Sequence, residues 1–378
     1  MLSLTGCARP AIGCRQWNTY TVLGFLGYFV ASMFGAITAI TWDFVLAERL
    51  VALVAPPLAF IAAVAITTAV KGREQLVFYR GAMAAVVTVL TLGALIDAHV
   101  PRLLDVVVLG IGVFLVFGRL GCFHVACCHG RPARRGVTYG ARHVAVGFWP
   151  RWSGRTLFPI QLVESGASLS LVVAGVMASR PPGAAALVYV IGYGLVRFVL
   201  ELFRGDPVRP YAYGLSEAQW FSVATVAYCA VWRPSAWSLA SIAALLAGTG
   251  LLVARRRARE LSSPPHLHEL DRICMAILDD PARARLESRL GVAVSCHVLD
   301  NGRLDWVMSS THARWSPAAA RAIGAALWTD AEFVTGRTPG VIHLLTEQPP
   351  RGTSSITGRH RDGDRYGNQR RDAARLPR

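Results

Sequence analysis

The chain has 378 residues, of which 53% are hydrophobic and only 16% charged, and its mean hydropathy is +0.40. Soluble domains ordinarily carry about 25% charged residues, so this composition excludes an ordinary soluble enzyme and points to a protein that crosses a membrane several times. The eight cysteines, at 7, 14, 122, 127, 128, 229, 274 and 296, follow no framework spacing, which argues against a disulfide scaffold.

Residues 1–18 contain no apolar stretch of the kind a cleavable leader needs, so no signal peptide is expected before the first span. Leu4, Thr5, Gly6 and Cys7 spell a lipobox without the hydrophobic segment that gives one meaning. Apolar runs then cover approximately 20–40, 50–70, 81–96, 103–117, 158–178, 184–203, 218–232 and 236–254. A membrane helix needs about 20 residues, with about 17 a practical minimum. The runs at 81–96, 103–117 and 218–232 are therefore short, and seven or eight crossings are expected.

Beyond Arg255, Arg256 and Arg257 the composition changes. Residues 266–347 are expected to form a small soluble α+β domain, with helices over 270–278, 281–290 and 316–328 and strands over 293–299, 303–309 and 340–346. Asp300-Asn301-Gly302 is a hairpin signal, and Ser316 followed by Pro317 marks a helix start. His266, His268, His297, His312 and His343 show no metal-ligand spacing and are read as surface or core histidines. The tail, 348–378, holds eight arginines against three aspartates and reads as disordered. The expected division is thus 1–18, 19–255, 266–347 and 348–378.

The net charge of +16 is concentrated in 131–155, in 255–259 and in the tail. Basic clusters beside spans attract anionic lipid, and no nucleic-acid partner is expected. Lysine and arginine bias places 1–18, 71–80, 118–157, 204–217 and everything after 255 in the cytoplasm. A basic loop that binds substrate must stand where the substrate is, so this bias does not fix the orientation.

The chemistry is expected around two arginines at the ends of apolar runs. Arg119 lies in FGRLGCFHVACCHGRP, which begins at Phe117, and Arg197 in YVIGYGLVRFVLELFRGDP, which begins at Tyr189. An arginine at membrane depth is expensive and by default a candidate for anion binding, and phospholipid headgroups are the obvious anions. Tyr193, Arg197, Glu201 and Arg204 are spaced to share one helix face. Glu201 is placed to orient Arg197 or Arg204 as an i, i+4 or i, i+3 partner, with general base for a thiol as the sharper alternative. Gly118, Gly121 and Gly130 either admit a headgroup to the backbone or pack helices closely.

Gly118-Arg119-Leu120-Gly121-Cys122-Phe123, then Pro159, Gln161 and Glu164, then Tyr193-Gly194-Leu195-Val196-Arg197-Phe198 with Glu201 and Arg204, resemble the ordered motifs of prolipoprotein diacylglyceryl transferase. Tyr20 with Gly27, and Leu215-Ser216 with Gln219 and Ser222, resemble its first and last spans. The resemblance covers about 20–254 and marks a divergent, cysteine-rich member. It implies an all-α polytopic protein of the cell membrane. The implied reaction moves a diacylglyceryl group from phosphatidylglycerol to the lipobox cysteine of a prolipoprotein, without a cofactor. It also implies catalytic roles for Arg197, Glu201 and Tyr193, and substrate contacts for Arg119, Gly121, Arg204, Gln161, Glu164 and Tyr20.

The departures lie at chemically active positions. Cys122 replaces the family's asparagine and Cys127 stands at an acidic position. Phe158 replaces one histidine, and FYRGAMAAVV, from Phe78, lacks another. His124 and His129 are the nearby substitutes. Cys122, Cys127 and Cys128 are open to four readings: buried structural thiols, a redox pair, metal ligands or direct catalysis. Their spacing matches no common zinc pattern, so no metal is expected from sequence. A non-catalytic binder of anionic phospholipid and a thiol-redox membrane enzyme are the alternatives to the transferase.

Overall fold

The computed structural model describes residues 11–12, 15–16, 18–71, 78–145, 148, 152–205, 211–213, 215–258, 260–280, 285–328 and 331–347. The chain divides into two compact units, 1–268 and 269–378. The expected basic tail lies outside the described residues.

In the first unit, a two-residue hairpin of β1 (Ala11–Ile12) and β2 (Arg15–Gln16) precedes α1 (Thr19–Thr41), which Asn18 caps by accepting from the Tyr20 amide at 2.9 Å. α2 (Leu46–Leu53) and α3 (Ala55–Lys71) divide the second apolar run just before Pro56-Pro57, where a missing N–H interrupts the helical ladder. α4 (Phe78–Leu95) leads to α5 (Val100–His124), the 25-residue centre of the bundle, which packs against α1, α4, α7 and α8. Between α5 and α7 lie β3 (Pro132–Thr138), the four-residue α6 (Ala141–Val144) and β4 (Thr156–Leu157), which pairs back onto β3. α7 (Ile160–Met177) and α8 (Ala184–Leu200) follow, then the small hairpin β5 (Tyr211–Ala212) and β6 (Leu215–Ser216), α9 (Glu217–Trp232) and α10 (Ala236–Ala258).

Among the described residues, six helical stretches are long and apolar enough to cross a membrane: Thr19–Thr41, Leu46–Val70, Phe78–Leu95, Val100–His124, Ile160–Met177 and Ala236–Ala254. The runs expected to be short at 81–96 and 103–117 belong to helices of 18 and 25 residues, because helix continues through flanking polar residues that a hydropathy reading discards. α8 has 17 residues and α9 has 16, so length does not establish the expected count of seven or eight. The outward faces are apolar, with Phe25, Phe29, Ile61, Ile66, Leu169 and Leu246 exposed. This is the inversion a lipid environment allows, and the chain is a multi-pass membrane protein.

Small residues let the helices approach. A methyl group on Gly112 of α5 would come within 2.5 Å of the Tyr189 ring, and one on Gly27 of α1 within 2.6 Å of the Phe117 Cβ. Lipid gives no hydrophobic reward for helix association, so close packing and interhelical hydrogen bonds supply it. Ser168 of α7 donates to the Gly112 carbonyl at 3.0 Å and meets the Tyr189 hydroxyl at 2.7 Å.

An acidic residue overlooked in the run 103–117 sets the start of α8. Asp105 is fully buried, and its carboxylate accepts from the Gly183 and Ala186 amides at 2.7 and 2.8 Å. Gly183 has φ +83°, a conformation glycine adopts without strain, and turns the chain into the helix. A carboxylate at a helix N-terminus satisfies orphan N–H groups and interacts favourably with the positive end of the helix dipole. That anchor fixes the position of the arginine one helix length away.

In the second unit an antiparallel sheet runs in the order β10-β11-β9-β8-β7, formed by β7 (Leu286–Glu287), β8 (Val292–Val298), β9 (Leu304–Ser310), β10 (Glu332–Thr335) and β11 (Val341–Thr346). The hairpin at Asp300-Asn301-Gly302 joins β8 to β9 with Val298 opposite Leu304. α11 (Pro264–Asp279) contains the division between the units, α12 (Pro317–Leu327) lies wholly in the second, and Ser316 caps α12 by accepting from the Ala319 amide at 3.2 Å. Trp306, Met308, Ile323, Leu327 and Trp328 are buried in its core. The helix expected over 281–290 is not formed where it is described: Leu286–Glu287 pairs with β8 as an edge strand, and residues 281–284 lie outside the described residues.

Asp105→Ala removes two charge-assisted hydrogen bonds and leaves the α8 amides buried. A loss of about 2–3 kcal/mol is expected, measured as thermal or denaturant unfolding of the full chain in detergent.

Candidate functional site

The polar centre is assembled from α5, α7 and α8. Glu164 of α7, almost wholly buried, stands between two guanidinium groups: Arg119 Nε of α5 lies 3.0 Å from Oε2, and Arg197 Nη1 of α8 lies 3.3 Å from Oε1. The Tyr193 hydroxyl, one turn before Arg197, donates to Oε1 at 2.6 Å. Glu201, fully buried, forms a short ion pair with Arg197 Nη2 and lies 3.4 Å from Arg204 Nη1. Three guanidiniums therefore share two carboxylates in a buried site. A lone charge there would be prohibitive, and the mutual pairing offsets the desolvation.

The four-residue helix face expected from spacing is formed only in part. α8 ends at Leu200, and Glu201 is its C-cap. Arg204 reaches the cluster by another route: it bridges to Gly130 in an isolated antiparallel pair, while the Arg131 amide donates to the Phe203 carbonyl at 2.9 Å and the Gly205 amide to the His129 carbonyl at 2.9 Å. Glu201 still pairs with Arg197 four residues before it and with Arg204 three residues after it, as the spacing expects, and the backbone pairing with Gly130 secures Arg204 beyond the helix end.

The same pairing holds the cysteine segment. Helix α5 extends to His124, so Arg119 sits inside it rather than at its end, and Cys122 is one turn beyond. The chain then turns sharply, with Ala126 and Cys128 both left-handed at φ 60° and 52°. The Cys122, Cys127 and Cys128 sulphurs end within 4.8 Å of one another. Gln161 of α7 donates to the Cys127 carbonyl at 2.8 Å, tying this turn to the helix that carries Glu164. Hydrogen bonds from Cys122 and Cys127, reinforced by the charges of Arg204 and Arg119, hold the Cys128 thiol well below its usual range, whereas the hydrogen bonds to its two neighbours push Cys127 above it.

Tyr20, at the start of α1, lies against Gly121: a Cβ there would be 3.3 Å from the Tyr20 Cα, so the absent side chain lets α1 approach. All nine expected site residues are therefore gathered in one region, around Glu164 and the thiol turn. The two histidines considered as substitutes flank this turn. His129 Nδ1 is 2.9 Å from the Gly130 carbonyl, and its ring packs against Phe148 and Trp152, while His124 packs against Phe123.

The sequence profile of prolipoprotein diacylglyceryl transferase matches residues 29–233, more than half of the chain and the whole of this site except Tyr20. The chain belongs to the prolipoprotein diacylglyceryl transferase family. It is 34% identical over 130 residues to the phosphatidylglycerol–prolipoprotein diacylglyceryl transferase of Clostridium tetani (strain Massachusetts / E88), an alignment covering 34% of this chain and 50% of that protein. It is 30% identical over 131 residues to phosphatidylglycerol–prolipoprotein diacylglyceryl transferase 2 of Clostridium perfringens (strain 13 / Type A), covering 33% of this chain and 48% of that protein. The chain thus spans about half the length of the curated relatives it matches. The C-terminal unit lies outside the family match.

Sequence reasoning assigned Glu164 to substrate contact and missed it as the residue on which two helices converge. The available signal was its position: an acid three residues after Gln161, at the start of an apolar run. In this family member, Glu164→Ala leaves Arg119 and Arg197 buried without that carboxylate. A loss of about 3–5 kcal/mol is expected, read as the unfolding midpoint in detergent, with a smaller loss for Glu164→Gln.

Proposed function

We propose that this protein, in the cell membrane, transfers the diacylglyceryl group of phosphatidylglycerol to the lipobox cysteine thiol of a prolipoprotein. The observation that carries the reading is the convergence of Arg119, Arg197 and Arg204 in one buried site of a chain belonging to this family. Of the five charged groups, three are positive and two negative, which leaves an excess of one positive charge. A phosphodiester headgroup carries one negative charge and matches that excess.

The reaction breaks the bond between the glyceryl carbon and a phosphate oxygen, so the leaving glycerol phosphate gains a second negative charge. Guanidinium forks held in place by Glu164 and Glu201 need little reorganisation to meet it, and fixed donors in a water-poor site are usually the largest source of transition-state stabilisation. Arg197 is the proposed contact to the leaving phosphate and Arg119 to the headgroup. Glu201 and Tyr193 position these groups, and Tyr20, Gly121 and Gln161 line the approach. Glu164, already paired to both arginines, holds them a helix spacing apart until the phosphate arrives.

The replaced family histidines favour one rival, a phospholipid binder that transfers nothing. Vesicles containing phosphatidylglycerol labelled in the diacylglyceryl part, mixed with the protein and a lipobox peptide, separate the two. Label is expected on the peptide cysteine, and Arg197→Ala is expected to lower the rate at least about 100-fold, while Arg197→Lys restores only part because a point charge cannot form the fork. Retained lipid with no labelled peptide contradicts the transferase reading.

A further inference from the structure

We propose that Cys122, Cys127 and Cys128 bind one zinc ion, and that the open fourth position of this ion takes the incoming thiol. The second half of the proposal rests on the transferase reading above. The first half stands on the thiols themselves.

Zinc binds thiolates at about 2.3 Å in tetrahedral geometry, which sets neighbouring sulphurs about 3.8 Å apart. The three sulphurs here lie within 4.8 Å of one another, so a shift of at most about 1 Å completes three corners of that tetrahedron. Sequence spacing conceals this arrangement, because residues 127 and 128 are adjacent. Folding produces it through a turn in which Ala126 and Cys128 are both left-handed. Non-glycine residues enter that region at a cost of about 1–2 kcal/mol each, and such strain gathers at functional sites. The turn is also held from both sides, by Gln161 at the Cys127 carbonyl and by the backbone pairing of Gly130 with Arg204. The three thiols are free of disulfides, and Cys122 is buried.

Three protein ligands and one open position are the arrangement of catalytic rather than structural zinc.

The chemistry does the work that the two replaced histidines would do. Phe158 and the FYRGAMAAVV segment stand where the resemblance places histidines, and a free thiol is only a few per cent thiolate at neutral pH. Coordination removes the thiol proton outright. In the proposed step the substrate thiol binds zinc and loses its proton to water. Its sulphur lone pair then forms the bond to the glyceryl carbon, and the carbon–oxygen bond breaks. That electron pair leaves with glycerol phosphate, which becomes a dianion against the arginines. Zinc keeps its oxidation state, so neither an oxidant nor a reductant is required.

The test uses the reduced full chain purified in detergent. Metal analysis is expected to give one zinc per chain, lost in Cys127→Ser and Cys128→Ser, and cobalt reloading is expected to give the thiolate-to-cobalt charge-transfer band. Chelator-stripped wild-type protein, reloaded with zinc, controls for variants that fail to fold. Stripping is expected to lower the transfer rate at least about tenfold and reloading to restore it. No bound zinc, copper in its place, or a disulfide among the three cysteines overturns the site. Transfer by stripped protein at the loaded rate overturns the role of the fourth position and leaves the transferase reading intact. A zinc-loaded chain that transfers nothing removes the transferase reading and its dependent step, while the metal site stands.

Discussion

One buried carboxylate organises the membrane unit. Glu164 faces a guanidinium from α5 on one side and one from α8 on the other, and accepts the Tyr193 hydroxyl as well. In a low-dielectric interior none of these charges is tolerable alone. Burial of Glu164 on α7 therefore depends on guanidiniums from both neighbouring helices, and burial of Arg119 on α5 depends on Glu164. Packing of small residues, such as Gly112 beneath Tyr189, brings the helices near enough, and the ion pairs then fix their relative position. Asp105 performs a parallel task at the far end of α8, where it holds the helix start by two amides. Between these two acidic anchors, the helix that presents Arg197 has little freedom.

The charge count of the cluster follows from the same pairing. Three guanidiniums packed together without counter-charge would repel one another. Glu164 and Glu201 supply that negative charge, one carboxylate fewer than the guanidiniums, so the cluster carries an excess of one positive charge.

Much of this was legible in the sequence. Spacing alone placed Tyr193, Arg197 and Glu201 together, because helical periodicity is a local rule. The hairpin at Asp300-Asn301-Gly302 and the cap at Ser316 were readable for the same reason. What escaped depended on distant parts of the chain. Arg204 meets Glu201 at the expected spacing, but it lies past the end of α8, and no periodicity encodes the backbone pairing with Gly130 that holds it there. The length of α5 was underestimated because Arg102 before the apolar run and Arg119 and His124 after it are helical all the same. Asp105 was hidden inside an apolar run, although an acid there is as telling as an arginine. In the C-terminal unit, the edge strand at Leu286–Glu287 exists only through its partner β8, so its own sequence could not announce it. The thiols gave the opposite lesson: their spacing on the chain matched no common ligand pattern, and a turn with two left-handed residues brings the three sulphurs within 4.8 Å of one another.

The most direct test of the central claim is a double-mutant cycle on Arg119→Gln and Arg197→Gln, with unfolding free energy as the readout. Either change alone leaves Glu164 with one cation, whereas both together strand a buried carboxylate. The double variant is expected to lose at least about 1 kcal/mol more than the sum of the single losses, and the excess is expected to vanish when Glu164 is already glutamine. Additive losses, equal to the sum within about 0.5 kcal/mol, would show that the two helices are not coupled through Glu164 and would contradict the account.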